Sequence, residues 1–241
     1  MRRPHLILSR LALACALALP AGLCALPTLA QDAPAGIPEP DLVTKDWKLK
    51  FTYAHPETFA YEQADGTVKW YWYMTYKVVN ETDEPIRYTP DITVSDDQGN
   101  ITTANRGISV LVFRALREYV RNPLLLSPAG IPGQIFPGED YAREGVAIWP
   151  VSNRDVDAFA VFFGGIYGET KVLKDPTTGE PIMIPATNPR TGEPRTDRNG
   201  DPVMIPVEVN RVRMIRYDSP GTLERPQEMQ ADLIEEKDVM R

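Results

Sequence analysis

The chain has 241 residues, with 26 basic against 33 acidic side chains and a formal charge of −7. Nucleic acid and anionic lipid are bound by clustered Lys and Arg, so this balance disfavours both as partners. Its two cysteines, Cys15 and Cys24, and one of its two histidines, His5, fall within the first thirty residues.

Arg2, Arg3 and Arg10 flank and precede an uncharged run over 11–19; Pro20 interrupts it, and Thr28-Leu29-Ala30 places small residues before Gln31. That order of charge, apolar core and small-residue exit predicts a secretory signal peptide over 1–30. Residues 11–30 also have the length of an uncleaved span, but Pro20, Pro27 and the exit site favour removal. Bulky Leu23 argues against a lipid anchor on Cys24, and Pro4-His5 after Arg2-Arg3 argues against twin-arginine export. Cleavage takes away three arginines and no acid, so the charge moves from −7 to −10 and no thiol and one imidazole, His55, remain. A cysteine nucleophile, a thiolate metal site, a disulfide framework and a two-histidine zinc centre are then excluded. The expected location is secreted or periplasmic, with no stable membrane span after signal removal.

Residues 31–45 are Pro-rich and polar and read as a flexible spacer. The body is expected over 46–174 and 207–217. Its first strand is 46–53, where Trp47, Leu49, Phe51 and Tyr53 alternate with polar residues. Residues 68–79 form the strongest strand, dense in aromatic and β-branched side chains and free of Gly and Pro. A polar turn at 80–85 leads to a strand over 86–94, and Asp96-Asp97-Gln98-Gly99-Asn100 makes a hairpin loop. The period then changes. Val112, Phe113, Leu116, Tyr119 and Val120 recur at helical spacing opposite Arg114, Arg117, Glu118 and Arg121, which predicts an amphipathic helix over 109–120, ended by Asn122-Pro123. Residues 123–139 carry enough Leu, Ile and Phe to pack on the body as a loop. Strands follow at 144–149 and 157–163.

Residues 175–206 differ in character. Gly179-Glu180-Pro181-Ile182-Met183-Ile184-Pro185 recurs as Gly200-Asp201-Pro202-Val203-Met204-Ile205-Pro206, and Thr178-Gly179-Glu180-Pro181 is echoed by Thr191-Gly192-Glu193-Pro194. The repeat predicts a two-stranded arm whose strands are about three residues long, because flanking prolines donate no ladder bond. Residues 207–217 return as the last strand of the body, and 218–241 read as a charged tail, a short helix or frayed chain.

Candidate binding residues fall in three groups. The arm presents Ile182, Met183, Val203 and Met204, apolar residues on a short open strand pair that invites strand addition by a partner. In the run 70–76, strand alternation puts Trp70, Trp72, Met74 and Tyr76 on one face and Tyr71 and Tyr73 on the other. The first face reads as core; Tyr71 and Tyr73 read either as cross-strand pairs or as a platform for sugar rings. Arg114, Arg117 and Arg121 line one helical side, a solvated face or a contact for an anionic ligand or an acidic partner. Asp197, Asn199, Asp201 and Glu208 match calcium-loop spacing, but Pro202 stands where the sharp turn wants glycine, so no metal site and no cofactor are expected. Asn80-Glu81-Thr82 and Asn100-Ile101-Thr102 fit the glycosylation triplet, and both asparagines also sit where turns use them. His55 has no acid or base companion in sequence.

The run 76–86, then Asp96-Asp97-Gln98-Gly99, then Pro137-Gly138-Glu139 with Gly145 and Ala147, resembles exported bacterial immunoglobulin-like domains over about residues 46–165. The resemblance implies a non-catalytic accessory or adhesion-type module and transfers no site residues. The expected fold is mostly β: an antiparallel immunoglobulin-like β-sandwich of about seven strands, with one flanking helix and a proline-rich β-hairpin arm. The expected function is that of an exported, non-catalytic interaction or accessory protein, acting by contact with another envelope or extracellular protein. The alternatives are a carbohydrate-binding module using the Tyr71/Tyr73 face and an acid-based hydrolase.

Overall fold

In the computed structural model, residues 36–43, 46–151, 156–219 and 225–241 are described; the expected leader and most of the spacer lie outside them. The described chain belongs to one contact unit, Ala33–Arg241. It is built of antiparallel sheets and a single short α-helix.

The 12-residue β3 (Val68–Val79) organises the first sheet. β1 (Lys50–Tyr53) and β2 (Glu57–Glu62) pair with its two ends along one edge, and β8 (Arg143–Pro150) pairs along the other. Pro56 lies between β1 and β2 and ends the first, since it cannot donate to the ladder. The strand signal read over 46–53 is realised as hydrogen-bonded ladder only from Lys50, and β2 carries no sequence signal of its own beyond Phe59 and Tyr61. Pro90 splits the expected strand over 86–94. β4 (Ile86–Tyr88) pairs with β7 (Gly133–Ile135), and β5 (Asp91–Asp96) joins the second sheet. That sheet runs β10 (Thr170–Val172), β13 (Glu208–Asp218), β9 (Ala158–Gly164), β5 and β6 (Ile101–Thr103), with β14 (Asp232–Met240) on the outer side of β13.

The two sheets pack through Trp72, Met74 and Tyr76 of β3 against Phe159, Val161 and Phe163 of β9 and Ile215 and Tyr217 of β13. The Trp72–Phe159 and Tyr76–Phe163 ring centroids are both 5.4 Å apart. The opposite face of β3 is buried too. The helix α1 (Val110–Tyr119), capped by the Ser109 hydroxyl accepting the Leu111 N–H, lays Val112, Phe113 and Leu116 over Tyr71, Tyr73, Phe59 and Ile148. The result is three layers: helix, sheet, sheet. Leu125, Ile131 and Ile135 anchor the 123–139 loop in these cores, while Leu124 and Phe136 stay exposed.

The last segment is a correction. The expected tail at 218–241 contains β14, paired with β13 from Asp218 back to Arg211. No apolar alternation announces it, because ion pairs hold it: Arg211 and Arg213 pair with Asp238, and Arg213 also with Glu236, across the ladder. A further correction concerns strand number, since the described residues form fourteen strands, many of three residues.

Candidate functional site

The repeated segments pair as the sequence suggests. β11 (Met183–Pro185) and β12 (Met204–Pro206) run antiparallel with Met183 opposite Pro206, Ile184 opposite Ile205 and Pro185 opposite Met204. Around this ladder the arm makes three hairpins. Each opens on an Asx side chain whose Oδ1 accepts turn N–H groups: Asp175 from Thr177 and Thr178, Asn188 from Arg190, Asp197 from Asn199 and Asp201. A glycine at positive φ follows each time, Gly179 and Gly192 at 74° and Gly200 at 90°, a conformation that costs glycine nothing. The Asn199-Gly200 turn closes the third of these hairpins. The second hairpin, built on Asn188, is the element sequence reading missed. Its signal was present in the Thr191–Pro194 echo.

Three strands meet at each end of the ladder. At the base, Leu173 N–H donates to Val207 C=O, Val207 N–H to Ile182 C=O and Ile182 N–H to Leu173 C=O. At the far end the same cycle runs through Ala186, Val203 and Arg195. These bonds set the register of alternation. Ile182/Val207 and Ala186/Val203 are hydrogen-bonded pairs, so Ile184/Ile205 is one as well, and Pro185 and Pro206 fall at non-bonded positions facing outward. Pro181, Pro194 and Pro202 hold the matching place in the three hairpins, opposite Lys174, Thr187 and Thr196. No ladder bond is lost to these prolines. Instead each outer edge presents one donor, the Met183 or the Met204 N–H, where a strand without these prolines would present two, which weakens pairing with another strand. The prolines thus make the arm a poorer template for strand addition than its open strand pair suggests.

What the arm does offer is side chains. Met183, Ile184, Met204 and Ile205 are 42–47% exposed, Ile182 is 37% exposed, and Val203 is partly covered. Ile184 and Ile205, which sequence reading did not single out, form the central pair. One face of the ladder carries the isoleucines, the other the methionines and prolines. Asp197 is already occupied in its turn and Glu208 lies in β13. Among the described residues no three His, Cys, Asp or Glu side chains come together as a metal site.

The remaining candidates are placed as follows. Tyr71 and Tyr73 are 8% and 7% exposed. α1 covers them, and the Tyr73 hydroxyl donates to Glu57 Oε2 at 2.5 Å. Burial, then the Glu57 carboxylate, pushes the Tyr73 hydroxyl well above its ordinary range. The expected sugar platform is therefore covered, because the apolar stripe of α1 needs a partner and this face supplies it. Arg114, Arg117 and Arg121 lie on the exposed side of α1 and its C-terminal end, with no ion pair among the described residues; Arg117 sits 5.9 Å from the Phe113 ring centroid. Asn80 is fully buried, its amide donating to Glu84 C=O and Ile135 C=O, so it is closed to modification. His55 is exposed, with Nδ1 3.4 Å from the Tyr217 hydroxyl.

Below the arm, β13 and β14 carry a charge network. Asp238 accepts from Arg211 at 2.6 Å, from Arg213 at 2.6 Å and from the Tyr167 hydroxyl at 2.8 Å. Glu169 accepts from Arg211 at 2.9 Å and from the Asp41 N–H at 2.8 Å, and Lys171 bridges to Asp41. Burial pushes both carboxyls up, but the donors around them outweigh it and hold each below its usual range. These acids are committed to closing the C-terminal strand and tying down residues 39–41.

Among the described residues no helix is long and apolar enough to cross a membrane. No protein-family model matches the chain, and neither a curated protein nor a solved structure resembles it at a significant level.

Proposed function

We propose that the chain is an exported, non-catalytic interaction or accessory protein that acts by surface contact, with the arm over 174–206 as its contact region. The observation that carries this reading is the pair of exposed apolar faces on a ladder whose edges prolines make poor templates for pairing. An arm whose side chains served only its own packing would bury them; exposed apolar clusters mark contact sites. Met183 and Met204 give a deformable surface suited to a protein partner. Contact then runs through side chains, not through added backbone. The leader pattern over 1–30 supports export, and the two packed antiparallel sheets are compatible with the immunoglobulin-like class that the turn motifs resemble. The partner is another envelope or extracellular protein.

The test replaces residues 174–206 by Asn-Gly, a two-residue turn suited to joining the hydrogen-bonded Leu173 and Val207. Thermal unfolding of the shortened protein should stay within about 3 °C of the parent, since the arm contributes little core and a kcal/mol moves Tm by about that much. Cross-linked partner recovered from an envelope fraction should disappear. Retention of the same partner, or unfolding of the body, refutes the assignment.

A further inference from the structure

A depression of about 510 Å³ opens on the outer side of the larger sheet, formed by residues other than those of the arm. Its size lies within the roughly 300–1,000 Å³ of small-ligand pockets. Trp47, Arg87, Asp91, Phe162, Asn210 and Arg241 are among its lining residues. The chain there passes through Gly164, Gly165 and Gly168, whose missing Cβ atoms let Asp91, Thr89 and Trp47 pack close against it. Gly165 has no alternative, since a Cβ would lie 2.2 Å from Thr89 C=O.

The lining is rich in unused donors. Arg87, on β4, has no hydrogen bond or ion pair among the described residues, and the Trp47 indole N–H has no acceptor among them. The Arg241 guanidinium spends one nitrogen on the Thr93 hydroxyl at 2.9 Å and lies 4.2 Å from the Phe162 ring centroid, leaving its other N–H groups open. Asn210 accepts from the Thr170 hydroxyl at 2.9 Å through Oδ1, which leaves its amide N–H₂ unspent. Asp91, also unpaired, is the one carboxylate side chain among the lining residues. The charged side chains of the lining are two arginines and one aspartate, on a chain of formal charge −7, and a concave site concentrates the field of its arginines on an anion.

We propose that this hollow binds a carboxylate-bearing sugar. A carboxylate is acceptor-only and suits the guanidinium, indole and amide donors that line this one hollow. The Trp47 ring offers apolar surface to the C–H face of a pyranose, and Asp91 takes a ring hydroxyl. A bare anion would use the arginines and leave the Trp47 ring and Asp91 idle; a neutral sugar would leave the arginines idle.

Isothermal titration of the exported protein with digalacturonate, maltose, acetate and inorganic phosphate tests the assignment. Digalacturonate should bind saturably and more tightly than the other three, and weaken as salt rises, because its charge is screened in an open site. Arg87→Glu, an exposed and unpaired position whose change should leave Tm unaltered, should weaken digalacturonate by about tenfold or more. The arm-replaced protein should bind it as the parent does, which separates this site from the partner contact. The proposal is overturned by no saturation at about 10 mM, a level below about 3 kcal/mol of binding. It is equally overturned by maltose, acetate or phosphate binding as tightly as digalacturonate, or by an unchanged affinity in Arg87→Glu.

Discussion

In Asp238→Asn the carboxylate shared by Arg211, Arg213 and Tyr167 becomes a neutral amide of the same shape. Its side chain is 14% exposed, and those of Arg211 and Arg213 are 10% and 21% exposed, so little water replaces the lost charge. Arg211 keeps Glu169 and Arg213 keeps Glu236, so neither cation is left wholly alone. The cost should fall at about 2–4 kcal/mol, above the roughly 0–1 of an exposed pair and towards the roughly 3–5 of a buried pair that loses one partner. At about 2–4 °C per kcal/mol for a chain of this size, Tm should drop by about 5–15 °C. Thermal unfolding followed by circular dichroism at pH 7 reads the shift. Asp232→Asn is the control: Asp232 faces Asp218 across the same ladder, so removing one of two like charges should be neutral or slightly stabilising. The pH dependence has a defined sign. Asp238 and Glu169 both titrate below their ordinary values in the folded chain. Their contribution is therefore present above about pH 4, the ordinary carboxylate range, and is lost as pH falls through their depressed values. The parent should lose stability on that descent more steeply than Asp238→Asn does. Equal shifts for the two variants at pH 7, or parallel acid profiles, would refute the claim that this network holds the C-terminal strand in place.

Two further outcomes are expected. Pro185→Val with Pro206→Val supplies the missing N–H on each outer edge of the arm ladder; concentration-dependent self-association in light scattering is expected, and a monomer at every concentration would show that the prolines are not what keeps the edges from pairing. Gly165→Ala should cost more than 2 kcal/mol, because its φ is +82° and the new Cβ would meet Thr89 C=O at 2.2 Å. Gly66→Ala, at φ +80° with nothing within 4 Å, should cost only about 1 kcal/mol, and equal losses in urea unfolding would remove the steric argument.

The parts readable from the sequence were those set by local chemistry. β3 was legible because twelve residues without Gly or Pro alternate aromatic and β-branched side chains. α1 was legible because its apolar residues recur at helical spacing, and the arm because the same seven-residue pattern occurs twice between turn residues. Tertiary structure decided what each of these faces meets. Alternation separates Tyr71 and Tyr73 from Trp72 and Met74, but only the docking of Val112, Phe113 and Leu116 makes both faces core. β14 escaped notice because its Glu236 and Asp238 pair with Arg211 and Arg213 of β13, and charge pairing across a ladder leaves no hydrophobic period. The donor-poor edges of the arm needed the register, since one residue of slip would turn Pro185 and Pro206 inward and cost the ladder its bonds. The donor-lined hollow gathers Trp47, Arg87, Phe162 and Arg241 from four distant stretches of chain, and no spacing along one strand or helix can announce a site assembled that way.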